Sequence, residues 1–479
     1  MKITYFQGKP KVKKNFCSIV FSDPERNILN KSGKETKEAL ARVSDGELGT
    51  EFGCMAYLRQ NEKGYLFYNL GRKKSSAKKL RIATAKAWKF LRAKKIDKIA
   101  ISCRELSKGK IRALVEGVCL SDYQFTPYKT KKEKLPVHLT ELCLNVDNKK
   151  VSKAEIARWH EIAKGVYLAR DLMLTPANDL YPETLAKKAE ALGKEGRFKV
   201  SLLKQKDLER EKMGALLSVS QGSEKEPRLI VMDYKPKNAR KTIVLVGKAV
   251  TFDSGGLSLK PSSAMPEMKG DMGGGATVFG IMSVLKAIQC PLRVVGLVPA
   301  VENMPSGSAT RPSDVVYSRS GLTIEINNTD AEGRLILADA LDYAKQYKPD
   351  YVIDYATLTG ACLVALGPKI SGIMGNCQEL IDLLVKKGAE LDDPLWQLPL
   401  EEDYEEFLRS TVADVSNISS TRWGGTITAG LFLQRFAGSF QWAHCDLAAS
   451  ITEKESALSP KGGSGACVRA TIEAFDELK

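Results

Sequence analysis

Histidine is scarce in this chain. Only His138, His160 and His444 occur among 479 residues. None belongs to an HExxH pair, which excludes the helical zinc protease site built on that motif. The ten cysteines are scattered from Cys17 to Cys467 and form no CxxC pair. That spacing suits free thiols in a reducing cytosol better than a disulfide frame or a zinc knuckle. Long apolar runs are missing as well. The opening "MKITYFQGKPKVKKNFCSIVF" lacks the uninterrupted apolar segment of a signal peptide, and nothing approaches membrane-spanning length. The expectation is a cytoplasmic protein with no membrane partner.

Acidic residues are under-represented only in the first third. Residues 1–150 hold 34 Lys and Arg against 15 Asp and Glu, whereas the remainder holds 39 against 42. The net charge of +16 therefore comes from runs such as "GRKKSSAKKLR", "RAKKIDK" and "KTKKEK". Such asymmetry marks a domain boundary and permits binding of nucleic acid or another polyanion. A solvated basic surface without a partner is the simpler account, because no nucleic-acid motif and no interleaved aromatics accompany the charge.

What is present reads as an α/β protein. A content of 43% hydrophobic and 27% charged residues is that of an ordinary globular chain, and the length exceeds a single core. Residues 1–150 predict a smaller mixed α/β domain, with strands at "KNFCSIVF", "KGYLFYNL", "KIAISC" and "HLTELCLNV" and a basic helix at "SSAKKLRIATAKAWKFLRAKK". Ile156, Trp159, Ile162, Ala163, Val166 and Leu168 recur at helical spacing, which predicts a linking helix over 151–176, ended by the breaker "TPANDLYP". Over 177–479 the runs "RLIVMDY", "KTIVLVG", "LRVVGLVPAV" and "YVIDYATL" alternate with helical stretches. That pattern predicts a larger domain whose mostly parallel central sheet is flanked by helices.

A sheet of this kind places ligands beyond the carboxyl ends of its strands. "TIVLVG" runs there into "KAVTFDSGGLSLKP", with Lys248, Asp253 and Lys260. "MKGDMGGGATVFG" sets Asp271 before a helix. "NNTDAEGRL" sets Asp330, Glu332 and Arg334 before another. Asn, Thr and Asp are ordinary helix caps, but Arg334 has the wrong sign for a helix start. Asp330 and Glu332, two apart, converge only if the segment is a turn. Asp253, Asp271, Asp330 and Glu332 are thus expected to meet at one edge of one sheet, where they stay ionised only if cations neutralise them. Two divalent ions match four carboxylates, and oxygen donors suit Mn²⁺ or Zn²⁺.

"VGKAVTFDSGGLSLKP", "MKGDMGG", "NTDAEGRL", "DYATLTGACLVALG" and "WAHCDLA" together resemble the leucyl (cytosol) aminopeptidases, in that family's order. The resemblance is dense over about 165–479 and slight before 150. It departs in two places: Ala249 stands where glycine is usual, and Gly275 where alanine is common. The resemblance implies hydrolysis of the N-terminal residue, Leu or another apolar one, from peptides with a free N-terminus. Two divalent ions per subunit would be held by Lys248, Asp253, Asp271, Asp330 and Glu332, with a metal-bridged water as nucleophile. Lys260 would polarise the carbonyl, and Arg334 would hold a bicarbonate as general base. Met268, Thr357, Leu358 and Gly360 match substrate-contacting positions, although core packing and a turn explain them equally well. A homohexamer is also implied. Two rivals stay open: a DNA-binding regulatory or architectural protein, and a two-metal phosphoesterase.

Overall fold

The apolar runs of the C-terminal part fold as strands with both faces covered. Thr242–Gly247 and Tyr351–Ala356 are buried at every position after the first, as strands sandwiched between helices must be. The computed structural model describes residues 1–6, 14–25, 27–28, 33–60, 62–72, 75–146 and 150–479. They divide into two compact units, Met1–Ala163 with Ser456–Pro460, and Lys164–Glu455 with Lys461–Lys479. The helix Lys153–Leu174 contributes residues to both. Among the described residues, no helix is long and apolar enough to cross a membrane. None of the ten cysteines is in a disulfide, and all but Cys54 are buried.

The first unit is built on a six-stranded sheet. Its order is Lys2–Phe6, Glu141–Asn145, Lys98–Ser102, Cys17–Ser22, Lys63–Asn69, Met55–Gln60, parallel throughout except for the last pair. The basic helix expected near 75–95 spans Ala77–Ala93 and starts where the Ser76 hydroxyl accepts a bond from Lys79 N. It buries Leu80, Ala83, Ala87, Trp88 and Leu91, a stripe at helical period. The lysines occupy its other face. Arg81, on the buried side, is neutralised by Glu116 at 2.8 Å.

The second unit holds the larger sheet. Its four central strands are Gln441–Asp446, Tyr351–Ala356, Thr242–Gly247 and Arg293–Asn303, all parallel to one another. Antiparallel pairs occur towards the margins. Ala249–Asp253 pairs with the far end of Arg293–Asn303, so Asp253 and Asn303 lie side by side at the carboxyl edge. Gly273–Val284 covers one face and Gly333–Ala344 the other, packing against the strands around Thr242–Gly247. One expectation needs correcting. The strand before "NNTDAEGRL", Thr323–Ile326, belongs to a separate three-stranded sheet with Asp314–Tyr317 and Val415–Ser416. Asp330 and Glu332 therefore reach the main sheet's edge from an accessory one.

The two departures from the family pattern touch each other. A Cβ added at Gly275 would lie 2.9 Å from the Ala249 Cβ and 3.0 Å from Val298 Cγ1, too close for a packed interior. A methyl at position 249 therefore goes with a bare glycine at 275. Gly275→Ala alone should lower the melting temperature, since overpacking costs about 1–3 kcal/mol. Ala249→Gly in the same chain should restore most of it. Equal melting of the single and double variants contradicts this reading.

Candidate metal centre

The site begins with Lys248, placed one residue past a central strand. Its N–H bonds Tyr355 O at 3.0 Å and its carbonyl accepts Gly275 N at 2.7 Å, so sheet and helix grip the backbone together. Its side chain, 3% exposed, passes over Gly333. A Cβ there would sit 2.7 Å from Lys248 Nζ, which requires glycine in "DAEGRL". Nζ then meets Asp271 Oδ2 at 2.8 Å, Glu332 Oε1 at 2.7 Å and Thr357 O at 3.0 Å.

Asp253 ends its strand and is 1% exposed. Gly255 N and Asn303 Nδ2 donate to its Oδ1 at 2.9 and 2.8 Å, and Lys260 Nζ lies 2.8 Å from Oδ2. Gly255 adopts φ +88°, and a Cβ there would strike Ser258 O and Asp330 Oδ1. Lys260 also pairs with Asp330. Residues 329–330 form a turn and Glu332 stands just before the helix Gly333–Ala344 without a side-chain capping bond, so Asp330 and Glu332 converge instead of diverging. Asp253, Asp330 and Glu332 each offer an oxygen within 4.8 Å of the others.

Four carboxylates thus face two ammonium groups. Burial works against charge on Lys248, but Asp271, Glu332 and Asp253 outweigh it and hold its pKa above the usual lysine range. Lys260 behaves likewise through Asp253 and Asp330. Asp271, Asp253 and Asp330 are all raised, with burial the largest cause. Two negative charges remain uncompensated. Among the described residues, the buried Glu332 Oε2 has no hydrogen-bond partner, and in a native interior such an oxygen meets an ion or water. An all-oxygen cluster with surplus negative charge and an orphaned oxygen fits hard divalent cations. The donors are graded in depth: Lys248, Asp271 and Glu332 side chains are 3–6% exposed, whereas Lys260 is 16% and Asp330 33% exposed.

Arg334 is 7% exposed and donates from Nη1 to Asn417 O at 2.8 Å. Burial lowers its pKa to about 10, and its Nε has no partner. The guanidinium therefore keeps a donor free. Of the remaining candidates, Thr357 touches the cluster directly, donating to Asp271 Oδ1 at 2.7 Å. The Met268 carbonyl accepts Asp271 N. Leu358 N bonds Asp446, and Gly360, exposed, starts the helix Gly360–Leu366.

The sequence reading missed several supports. Asn303 Nδ2 bridges Asp253 and Thr329 O, and it ends a strand at the edge already singled out, so the strand-end rule could have found it. Asn417 receives Asn327 N and Asn328 N on its side-chain oxygen and donates to Asn328 O, bracing the "NNTDAEGRL" turn. It lies about ninety residues away in sequence, and no local signal marks it.

The chain is similar to known proteins over most of its length. Residues 167–472 match the model of the cytosol aminopeptidase family catalytic domain, and residues 65–132 that of its N-terminal domain. The chain is 44% identical over 409 residues to a protein of Syntrophotalea carbinolica named "Probable cytosol aminopeptidase", covering 83% of this chain and 82% of that one. A protein of the same name from Azotobacter vinelandii is 49% identical over 361 residues, covering 74% and 72%. Among solved structures, the bottromycin maturation enzyme BotP in complex with Mn superposes with a TM-score of 0.84 at 31% identity, covering 97% of this chain and 100% of that one.

Proposed function

The chain belongs to the cytosol aminopeptidase family, a family of metal-dependent hydrolases, and from that premise we propose that it removes Leu or another apolar residue from the free N-terminus of peptides at a two-metal centre. The observation that carries the proposal is the convergence of Asp253, Asp330 and Glu332 within 4.8 Å between two buried lysines. Lys248, Asp253, Asp271 and Glu332 would hold the inner ion, and Asp253, Asp330 and Glu332 the outer one. The gradient of exposure supports this division, since an outer ion exchanges more readily. When bound, divalent ions such as Mn²⁺ or Zn²⁺ supply Lewis-acid polarisation of the carbonyl and a nucleophilic water at neutral pH.

The chain's own groups do the rest. Lys248 would ligate as the neutral amine, its proton released to solvent, because an ammonium has no lone pair. Lys260 keeps its proton and turns to the carbonyl oxygen, stabilising the negative charge that develops there. Arg334, with its unpartnered Nε and the helix N-terminus beside it, would hold a bicarbonate, which would supply a general base there. Asp271 faces the substrate's α-amine, which limits cleavage to one residue at a time. Met268, Thr357, Leu358 and Gly360 border the substrate. A cytosolic homohexamer completes the reading.

The test is a panel of aminoacyl-amides with N-acetylated controls and a phosphate ester. Leu-amide should be cleaved and N-acetyl-Leu-amide left intact. Turnover of the phosphate ester without turnover of Leu-amide points to a phosphoesterase instead. The proposal includes a basic domain over 1–150, a linking helix over 151–176 and a catalytic domain over 177–479. A chain beginning at Val151 should still bind metal. If it never folds, the division is misplaced.

A further inference from the structure

Behind the metal site lies a buried polar group that the reaction described above does not use. Asp354 and His444 are register partners on neighbouring parallel strands, and Asp446 follows two residues later on the same face. All three are fully buried. His444 Nδ1 lies 2.6 Å from Asp354 Oδ1, and Trp442 Nε1 donates to Asp354 Oδ2 at 2.7 Å. Asp446 carries a different load. Its Oδ1 accepts Leu358 N at 3.2 Å, Thr359 N at 3.4 Å and Ala448 N at 3.2 Å, and its Oδ2 accepts Thr359 Oγ1 at 2.6 Å. Thr359 in turn caps the helix Gly360–Leu366. One residue earlier, Thr357 presents its carbonyl to Lys248 and its hydroxyl to Asp271.

Two buried carboxylates on one face need compensating charge. Among the described residues, neither forms an ion pair with a lysine or arginine. The charged groups that act on His444 are Asp354 and Asp446 from the strands and Arg334 from the helix above. An imidazolium at His444, with the Arg334 guanidinium, would balance the two carboxylates.

We propose that His444 is a positioning residue for the aminopeptidase reaction: its imidazolium, anchored by Asp354, keeps Asp446 ionised, and Asp446 fixes the Thr357–Gly360 segment against Lys248 and Asp271. Burial opposes charge on the ring, but Asp354 and then Asp446 overcome it and raise its pKa above the ordinary histidine value. Burial also raises the Asp446 carboxyl, with His444 the first influence lowering it. Without the imidazolium, Asp446 takes up a proton and gives up part of its acceptor capacity. Among the described residues, the ring's one hydrogen bond is the one to Asp354.

The inference rests on the aminopeptidase reading, and its test has two arms. His444→Asn keeps a donor towards Asp354 but carries no charge, and Asp446→Asn removes the charge at the other end. In the full-length protein, hydrogen exchange at Leu358 and Thr359 should accelerate about tenfold or more in either variant. With Leu-amide and saturating Mn²⁺, each should lose roughly ten- to hundredfold in kcat, the scale for groups that orient metal ligands. The double variant should lose no more than the worse single one, because both changes break one link. Wild-type exchange and kcat in a folded His444→Asn protein overturn the proposal. So do losses that multiply in the double variant, since they mark two independent structural roles. An inactive wild type overturns the aminopeptidase reading and the catalytic part of this inference, while the exchange data still decide whether His444 holds the segment.

Discussion

Lys248→Arg should yield a folded protein that has lost its inner metal ion and nearly all activity. The side chain sits between Asp271 Oδ2 at 2.8 Å and Glu332 Oε1 at 2.7 Å, where as an ammonium it offsets part of their charge. A lysine can leave that role by giving up a proton to a dication; an arginine cannot, since it stays protonated and offers no lone pair. The substituted guanidinium keeps both carboxylates paired, so folding survives while the cation locks the site against metal. Losing a group that merely orients a ligand costs roughly 10–100-fold, and losing a ligand should exceed that. Metal analysis at full occupancy in Lys248→Arg would refute the assignment, whatever the rate.

Lys260→Arg should separate charge from ligation. Lys260 pairs with Asp253 and Asp330 on the open side of the cluster and is partly exposed, so it faces the space that substrate enters. Arginine retains the positive charge but moves it off the position of the developing oxyanion. Removing one well-placed donor costs on the order of 10²–10³ in kcat, about 2.7–4 kcal/mol. Metal content should stay that of the wild type. A variant that loses metal and rate together would make Lys260 a support of the ion rather than of the substrate oxygen.

The carboxyl edge of the sheet was legible because the apolar runs around Thr242–Gly247 and Tyr351–Ala356 leave little doubt about buried parallel strands, and the charged residues follow directly. Lys248, Asp253 and Asp271 could be found that way. The turn at Asp330 was legible from geometry, since helical spacing alone would have separated it from Glu332. What stayed hidden is what depends on distant packing. Nothing near "LTIEI" tells that it joins a small sheet with Val415–Ser416, because strand partners are chosen by long-range contacts. Asn417 and Asp446 act through loops far away in sequence. Ala249 and Gly275 were each visible as a departure, yet only the fold brings them within one methyl's width. His444 belongs to no HExxH pair, and a lone histidine offers no sequence clue to the carboxylates beside it.

The central claim is that the Asp253, Asp271, Asp330 and Glu332 cluster works only when filled by two divalent ions. The most direct measurement is Leu-amide hydrolysis by protein stripped with a chelator and then titrated with Mn²⁺ or Zn²⁺, with bound metal counted in each sample. Activity should vanish on stripping and return as occupancy approaches two ions per chain. Undiminished turnover in protein shown to be metal-free contradicts the account.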